Sequence, residues 1–274
     1  MNRLDLADGH LAYSSRGSGR PPVLLLHGGH LDHRMWDREV EGLGRRTLAV
    51  APDARTHGRS ATARAPFRHC DDVAALVRHL DAGPAVLVGV SMGAGAAVDT
   101  ALEHPDLVRA LVLSGAGTNE PEFSEPWALA LLARAEDAIR RTDAAAWVET
   151  MLELGVGPGR TLEDVDPTVV QRLRKMLEDF VATHVGPGLV PPDHVAGSWQ
   201  RLPEIQVPVL GVVGALDSID HQRMCERAVR SVADGRGVVR VDGAAHYPNL
   251  EQPAAWDAAV EAFLDDVGVP VPQS

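Results

Sequence analysis

Short, unbroken apolar runs recur along this chain, separated by longer stretches in which apolar residues return at helical spacing. Val23-Leu24-Leu25-Leu26 follows a Pro-Pro pair, and comparable runs lie at 47–51, 85–90, 110–114, 209–213 and 238–241. Such a run, without polar alternation, reads as a strand covered on both faces, as in a parallel sheet. Segments 3–6 and 10–15, divided by Asp8-Gly9, read as an opening hairpin. Eight strands are therefore predicted. Between them, 71–80 puts Val73, Leu76, Val77 and Leu80 on one helical face, 93–104 stops before Pro105, and 253–267 carries Val260, Phe263 and Leu264. This alternation predicts an α/β fold: a mostly parallel, eight-stranded sheet flanked by helices. Residues 268–274, with two prolines, read as a loose end.

One region breaks the alternation. From 118 to 201 there is no convincing strand, but helical runs at 124–141 and 144–154. A third run opens at Asp166-Pro167, an N-cap with Pro at the first helical position, and brings Val169, Leu173, Met176, Leu177 and Phe180 round at helical spacing. Glycines and prolines at 155–159 and 186–192 interrupt the block. The expected organisation is a core domain made of 1–117 and 202–274, with 118–201 inserted as a helical cap. The cap should lie over the C-terminal edge of the sheet, where open α/β sheets bind their ligands.

Composition narrows the class of function. A length of 274 residues suits one large α/β unit with an insertion, and 45% hydrophobic with 23% charged residues suits a globular protein with a sizeable core. The formal charge of -12 argues against a nucleic-acid partner and against anionic membranes, so the expected partner is a small molecule. The first residues lack the apolar core of a signal peptide and no run reaches about 18 apolar residues, which predicts a cytoplasmic protein. Cys70 and Cys225 have neither Cys nor His at metal-ligand spacing and read as reduced thiols.

The chemistry is concentrated in three places that follow strands. Gly89-Val90-Ser91-Met92-Gly93 closes the run 85–90 and opens a small-residue helix, the pattern of a nucleophile elbow. A chance G-x-S-x-G turns up roughly once in ten chains of this size, so its surroundings matter. A serine hydroxyl needs a base, itself oriented by a third group. His246, just after the last strand, is the candidate base, and Asp217, just after 209–213, the candidate acid; the order Ser91, Asp217, His246 is the one this elbow expects. Developing negative charge needs backbone N–H donors beside the serine. Met92, at the helix start, and Gly29, in His27-Gly28-Gly29-His30, are the candidate oxyanion hole. His30, Trp127, Trp147, Met151 and Phe180 are candidate substrate-binding residues, suggesting a mostly apolar pocket. His57 beside Asp53 and Arg55 is a weaker acid–base candidate, Asp220 an alternative to Asp217, and His33 and His221 read as surface residues. No third ligand at a recognisable spacing joins Asp217 and His246, so no metal is expected.

With these motifs, Pro52-Asp53-Ala54-Arg55-Thr56-His57-Gly58-Arg59-Ser60, the segment 105–113 and Glu251-Gln252-Pro253, the chain resembles α/β-hydrolases of the esterase, lactonase and C–C hydrolase group. The resemblance covers nearly everything except 118–201. It implies a Ser91–His246–Asp217 triad, an oxyanion hole at Gly29 and Met92, and no cofactor. Thr56 departs from the pattern, standing where similar proteins often have Gly. The expected activity is serine-dependent cleavage of a small to medium, largely apolar ester or lactone. The same scaffold also serves C–C bond hydrolysis, enol-lactone opening, perhydrolysis, non-hydrolytic biosynthetic steps and ligand-binding receptors.

Overall fold

A computed structural model describes residues 1–269. Its eight strands are β1 (Asn2–Leu6), β2 (Gly9–Arg16), β3 (Val23–Leu26), β4 (Ala49–Pro52), β5 (Ala85–Val90), β6 (Val108–Ser114), β7 (Pro208–Gly214) and β8 (Asp234–Val241). They form one sheet in the order β1-β2-β4-β3-β5-β6-β7-β8. β1 and β2 pair antiparallel, β2 joins β4 antiparallel, and every later pairing is parallel. The eight-stranded, mostly parallel sheet read from the apolar runs is the one observed.

The helices are α1 (Asp37–Leu43), α2 (His69–Leu80), α3 (Met92–Glu103), α4 (Pro126–Arg140), α5 (Ala144–Val156), α6 (Pro167–His184), α7 (Ser198–Arg201), α8 (Ile219–Ser231), α9 (Pro248–Glu251) and α10 (Pro253–Asp266). Two cores sandwich the sheet because strand side chains alternate between its faces. Val23 and Leu25 of β3 point into one core with Trp36, Val40, Trp256, Val260 and Phe263. Leu24 and Leu26 point into the other with Val73, Leu76, Val98, Cys225 and Val229. This double covering explains why the central strands are apolar at every position.

Four helices are not expected from the sequence pattern: α1, α8 and the single turns α7 and α9. α1 is short and carries Asp37, Glu39 and Glu41. α8 is mostly polar, with its buried apolar residues Met224, Cys225, Ala228 and Val229 in a narrow stripe. β8 also starts earlier than the run 238–241, at Asp234, with two glycines inside it. It is an edge strand, exposed at most of its length, so burial imposes little apolar pattern on it. At the C-terminus, Val269 is buried and its N–H donates to the Leu264 carbonyl at 2.8 Å. The remainder of the expected loose end, 270–274, lies outside the described residues.

The strand order positions the site. After β3 the chain moves outward to β4, then returns to β5 on the other side of β3. At such a switch point the connections leaving two adjacent strands diverge and open a crevice. The loops after β3 and β5, with Gly29 and Ser91, border this crevice. Between β6 and β7 the described chain contains only helices, with α4, α5 and α6 packed successively on one another. Among the described residues, no helix is long and apolar enough to cross a membrane.

Candidate active site

Ser91 is the hinge between β5 and α3. Its backbone stands at φ 55° and ψ -118°, a conformation that side chains disfavour, and its N–H donates to the Ser114 carbonyl at 2.7 Å. The flanking glycines are sterically obligatory. A Cβ on Gly89 would lie 2.3 Å from the Gly93 carbonyl oxygen, and one on Gly93 would lie 2.2 Å from that of Leu26. The helix is thereby pressed onto the ends of β5 and β3. This contact also brings Gly29 beside Met92: a Cβ on Gly29 would sit 3.7 Å from that of Met92.

On the other side of Ser91, the ends of β7 and β8 bring Asp217 and His246 together. His246 Nδ1 donates to Asp217 Oδ2 at 2.9 Å. The imidazole is fully buried, and its Nε2 has no hydrogen-bond partner among the described residues. Nε2 therefore accepts no hydrogen bond from the Ser91 hydroxyl in this structure. Gly115, just after β6, approaches the ring so closely that a Cβ there would lie 2.8 Å from His246 Cε1.

Burial disfavours charge on His246, and this outweighs the nearby Asp217 carboxylate, so the imidazole titrates below its ordinary range. Burial also opposes ionisation of Asp217, but the imidazoles of His246 and His221 overcome it and hold the carboxyl well below its usual range. The pair therefore combines a neutral ring with an ionised acid at neutral pH.

A family model described as the alpha/beta hydrolase family matches residues 23–259. The chain belongs to that family. It is 28% identical over 271 residues to 3-oxoadipate enol-lactonase 2 of Acinetobacter baylyi, a match spanning 95% of each chain. It is 30% identical over 262 residues to a pimeloyl-[acyl-carrier protein] methyl ester esterase of Neisseria meningitidis, covering 89% of this chain and 92% of that one. A thermophilic esterase from Thermogutta terrifontis superposes with a TM-score of 0.77 at 28% identity, over 97% of this chain and 99% of its own.

In this α/β hydrolase, Ser91, Met92 and Gly29 border a cavity of about 550 Å³. His30, Met151 and Phe180 line it, whereas Trp127 and Trp147 do not. Trp147 stands behind the lining, 6.0 Å from the Phe180 ring and edge-on to His30 at 4.8 Å. Burial pushes the His30 imidazole down to about 4, so it meets the cavity as a neutral group. Arg55 also reaches the lining, but Asp72 grips it bidentately at 2.6 and 2.9 Å, and Asp8 lies 2.6 Å from its remaining amine. The guanidinium is therefore neutralised on the protein side.

Several weaker candidates are engaged in contacts of their own. His57 Nδ1 donates to the Arg55 carbonyl at 3.0 Å, and burial pushes its titration well down. His33 is not a free surface residue: its ring donates to Asp53 at 2.7 Å. Asp220 accepts the N–H groups of Ser124 and Glu125, each at 2.7 Å, and so anchors the entry to α4. Thr56 occupies the left-handed region at φ 66°, which accounts for the glycine often found there in similar proteins. Its hydroxyl oxygen accepts the Ala63 N–H at 2.9 Å, a contact glycine could not make. Cys70 and Cys225 are buried and unpaired.

His221 is the main surprise. It is buried, and its Nδ1 donates to Asp217 Oδ1 at 2.9 Å. The i,i+4 spacing from Asp217 was the available signal, but α8 had to be recognised first, and its polarity concealed it. Asp217, His221 and His246 offer ligand atoms within 4.8 Å of one another, as do Asp32, His33 and Asp53. In both groups, imidazole–carboxylate contacts at 2.7 to 2.9 Å are hydrogen bonds, so a metal would have to displace protons already shared there.

Proposed function

We propose that this α/β hydrolase cleaves small to medium, largely apolar esters or lactones through an acyl-enzyme on Ser91. The observation that carries the proposal is the Asp217–His246 hydrogen bond beside a serine held at a strained strand-to-helix turn. Ser91 Oγ attacks the carbonyl carbon while His246 Nε2 takes the hydroxyl proton. Asp217 fixes the ring with its proton on Nδ1 and stabilises the imidazolium. The backbone N–H groups of Gly29 and Met92 receive the oxyanion, aided at Met92 by the start of α3. His246 then returns its proton to the leaving alcohol, takes one from water, and the resulting attack releases the acid.

The segment 118–201 acts in this reading as a cap, and Met151 and Phe180 contribute apolar walls. The neutralised Arg55 and the neutral His30 supply no free cation, in keeping with an uncharged substrate. Within the class, the full-length likeness to an enol-lactonase favours lactone opening as the second reading. A fluorophosphonate probe should label the folded wild type at Ser91. Ser91→Ala should abolish both labelling and turnover of a p-nitrophenyl ester, by about 10⁴-fold or more, with an unchanged circular dichroism spectrum. Substantial turnover by the folded variant sinks the mechanism. An ester panel run beside enol-lactones and diketones separates the substrate classes.

A further inference from the structure

The Asp217 carboxylate carries more than one imidazole. Oδ2 accepts from His246, while Oδ1 accepts from His221 at 2.9 Å and from the Ser218 N–H at 2.7 Å. The two rings lie 4.3 Å apart between centroids and are tilted by 33°. Phe123 packs edge-on against His221 at 5.5 Å. His221 lines the cavity, whereas the fully buried His246 does not.

We infer that His221 is a positioning residue, which clamps one oxygen of Asp217 and so presents the other to His246 at a fixed angle. This inference rests on the serine-hydrolase reading above. A carboxylate held by one ring alone can rotate about its Cβ–Cγ bond. Anchoring Oδ1 from two directions removes that freedom and preorganises the His246 ring. A structural hydrogen bond on a remote face of α8 would not have this effect, but here donor and base share one acceptor.

The charges around the pair give the clamp a second consequence. His221 faces Asp217, His246, Asp220 on its own helix and Glu125 ahead of α4. Against the cost of burial, Asp217 and these acids raise its titration above the ordinary range. His246 faces Asp217, His221 and Glu251 of α9, and titrates lower. At the pH where His246 gains a proton, His221 already carries one. Its positive charge and its claim on Asp217 both disfavour protonation of His246, so they hold the acid limb of kcat/KM at low pH. Removing the imidazole must move that limb upward.

The test compares His221→Phe, which keeps a ring but lacks the donor, with His221→Asn, whose amide N–H stands in for Nδ1–H. Both are assayed with a neutral p-nitrophenyl ester across pH. His221→Phe should lower kcat about 10- to 100-fold, change KM less than about threefold and raise the acid limb by about one pH unit. His221→Asn should recover most of kcat while its limb stays raised, because the donor returns without the charge. Wild-type kcat and an unmoved limb in His221→Phe overturn the inference, as does an Asn variant no better than Phe. Should His221→Phe fail to fold, the limb of His221→Asn decides alone: raised supports the clamp, unmoved overturns it. Turnover by Ser91→Ala would instead defeat the underlying reading of the site, so the two failures are distinguishable.

Discussion

The strand ends around Ser91 and the helices between β6 and β7 both contribute walls to one cavity, by different physical means. At the strand ends, backbone meets backbone. Gly93 lies against the Leu26 carbonyl, Gly89 against Gly93, and the geometry has no slack. In α4 to α6 the contacts are between side chains, such as Phe180 against Trp147 and His30, which can repack when one partner changes. On the proposed reading, the first wall fixes where atoms react. The second fixes what fits beside them, and it can change shape without moving the first.

This contrast can be broken or sharpened by substitution. The largest effect is expected at Gly93→Ala, because a Cβ 2.2 Å from a backbone oxygen cannot be relieved by a rotamer change. Denaturant titration should show a loss of about 4 kcal/mol or more, accompanied by loss of fluorophosphonate labelling. Tolerance of alanine there would mean that the strand-end wall is as adaptable as the helical one. Phe180→Ala comes next. It should cost about 3 kcal/mol in stability and shift the preferred acyl chain of p-nitrophenyl esters to greater length, while Ser91 remains labelled. An unchanged chain-length profile would remove Phe180 from the pocket's selectivity.

The last concerns activity least: Glu39 is on the buried side of α1, with both carboxylate oxygens unpartnered among the described residues. Burial, with a contribution from Asp257, raises its carboxyl to about 8. The unfolded chain releases this proton near pH 4.5 and the folded chain only near 8, so the folded state loses stability as pH rises between these values. Glu39→Gln should therefore match wild type near pH 4 and become increasingly more stable than it as pH rises toward 8, measured by thermal melts at both pH values. Esterase activity at pH 7 should stay level, since Glu39 lies in the sheet-side core away from the cavity. A constant stability difference across this range would show that the carboxyl is not held neutral.

The same division decides what the sequence discloses. Strands β3, β5, β6 and β7 are legible because burial on both faces leaves only apolar residues, and the serine turn is legible because steric exclusion leaves only glycine. Asp217 and His246 can be located because each follows a strand that can itself be recognised. His221 is not legible because its contact with Asp217 depends on α8, whose apolar stripe is narrow and interrupted by charge. Trp127 and Trp147 suggest a pocket by residue type alone, yet which side of a helix meets a cavity depends on how that helix docks. Composition cannot encode that angle. Phe180 and Met151 do reach the lining, but nothing in their spacing distinguishes them from Leu173 or Met176, which pack into the core.

Ser91 itself carries a last implication. Its backbone dihedrals would suit glycine better than any residue with a side chain, so this one position is held against the chain's own local preference. Ser91→Gly would relax the turn and leave the architecture standing, without the hydroxyl. On the proposed reading, the attacking oxygen is therefore carried by a residue whose backbone conformation favours catalysis over ease of folding.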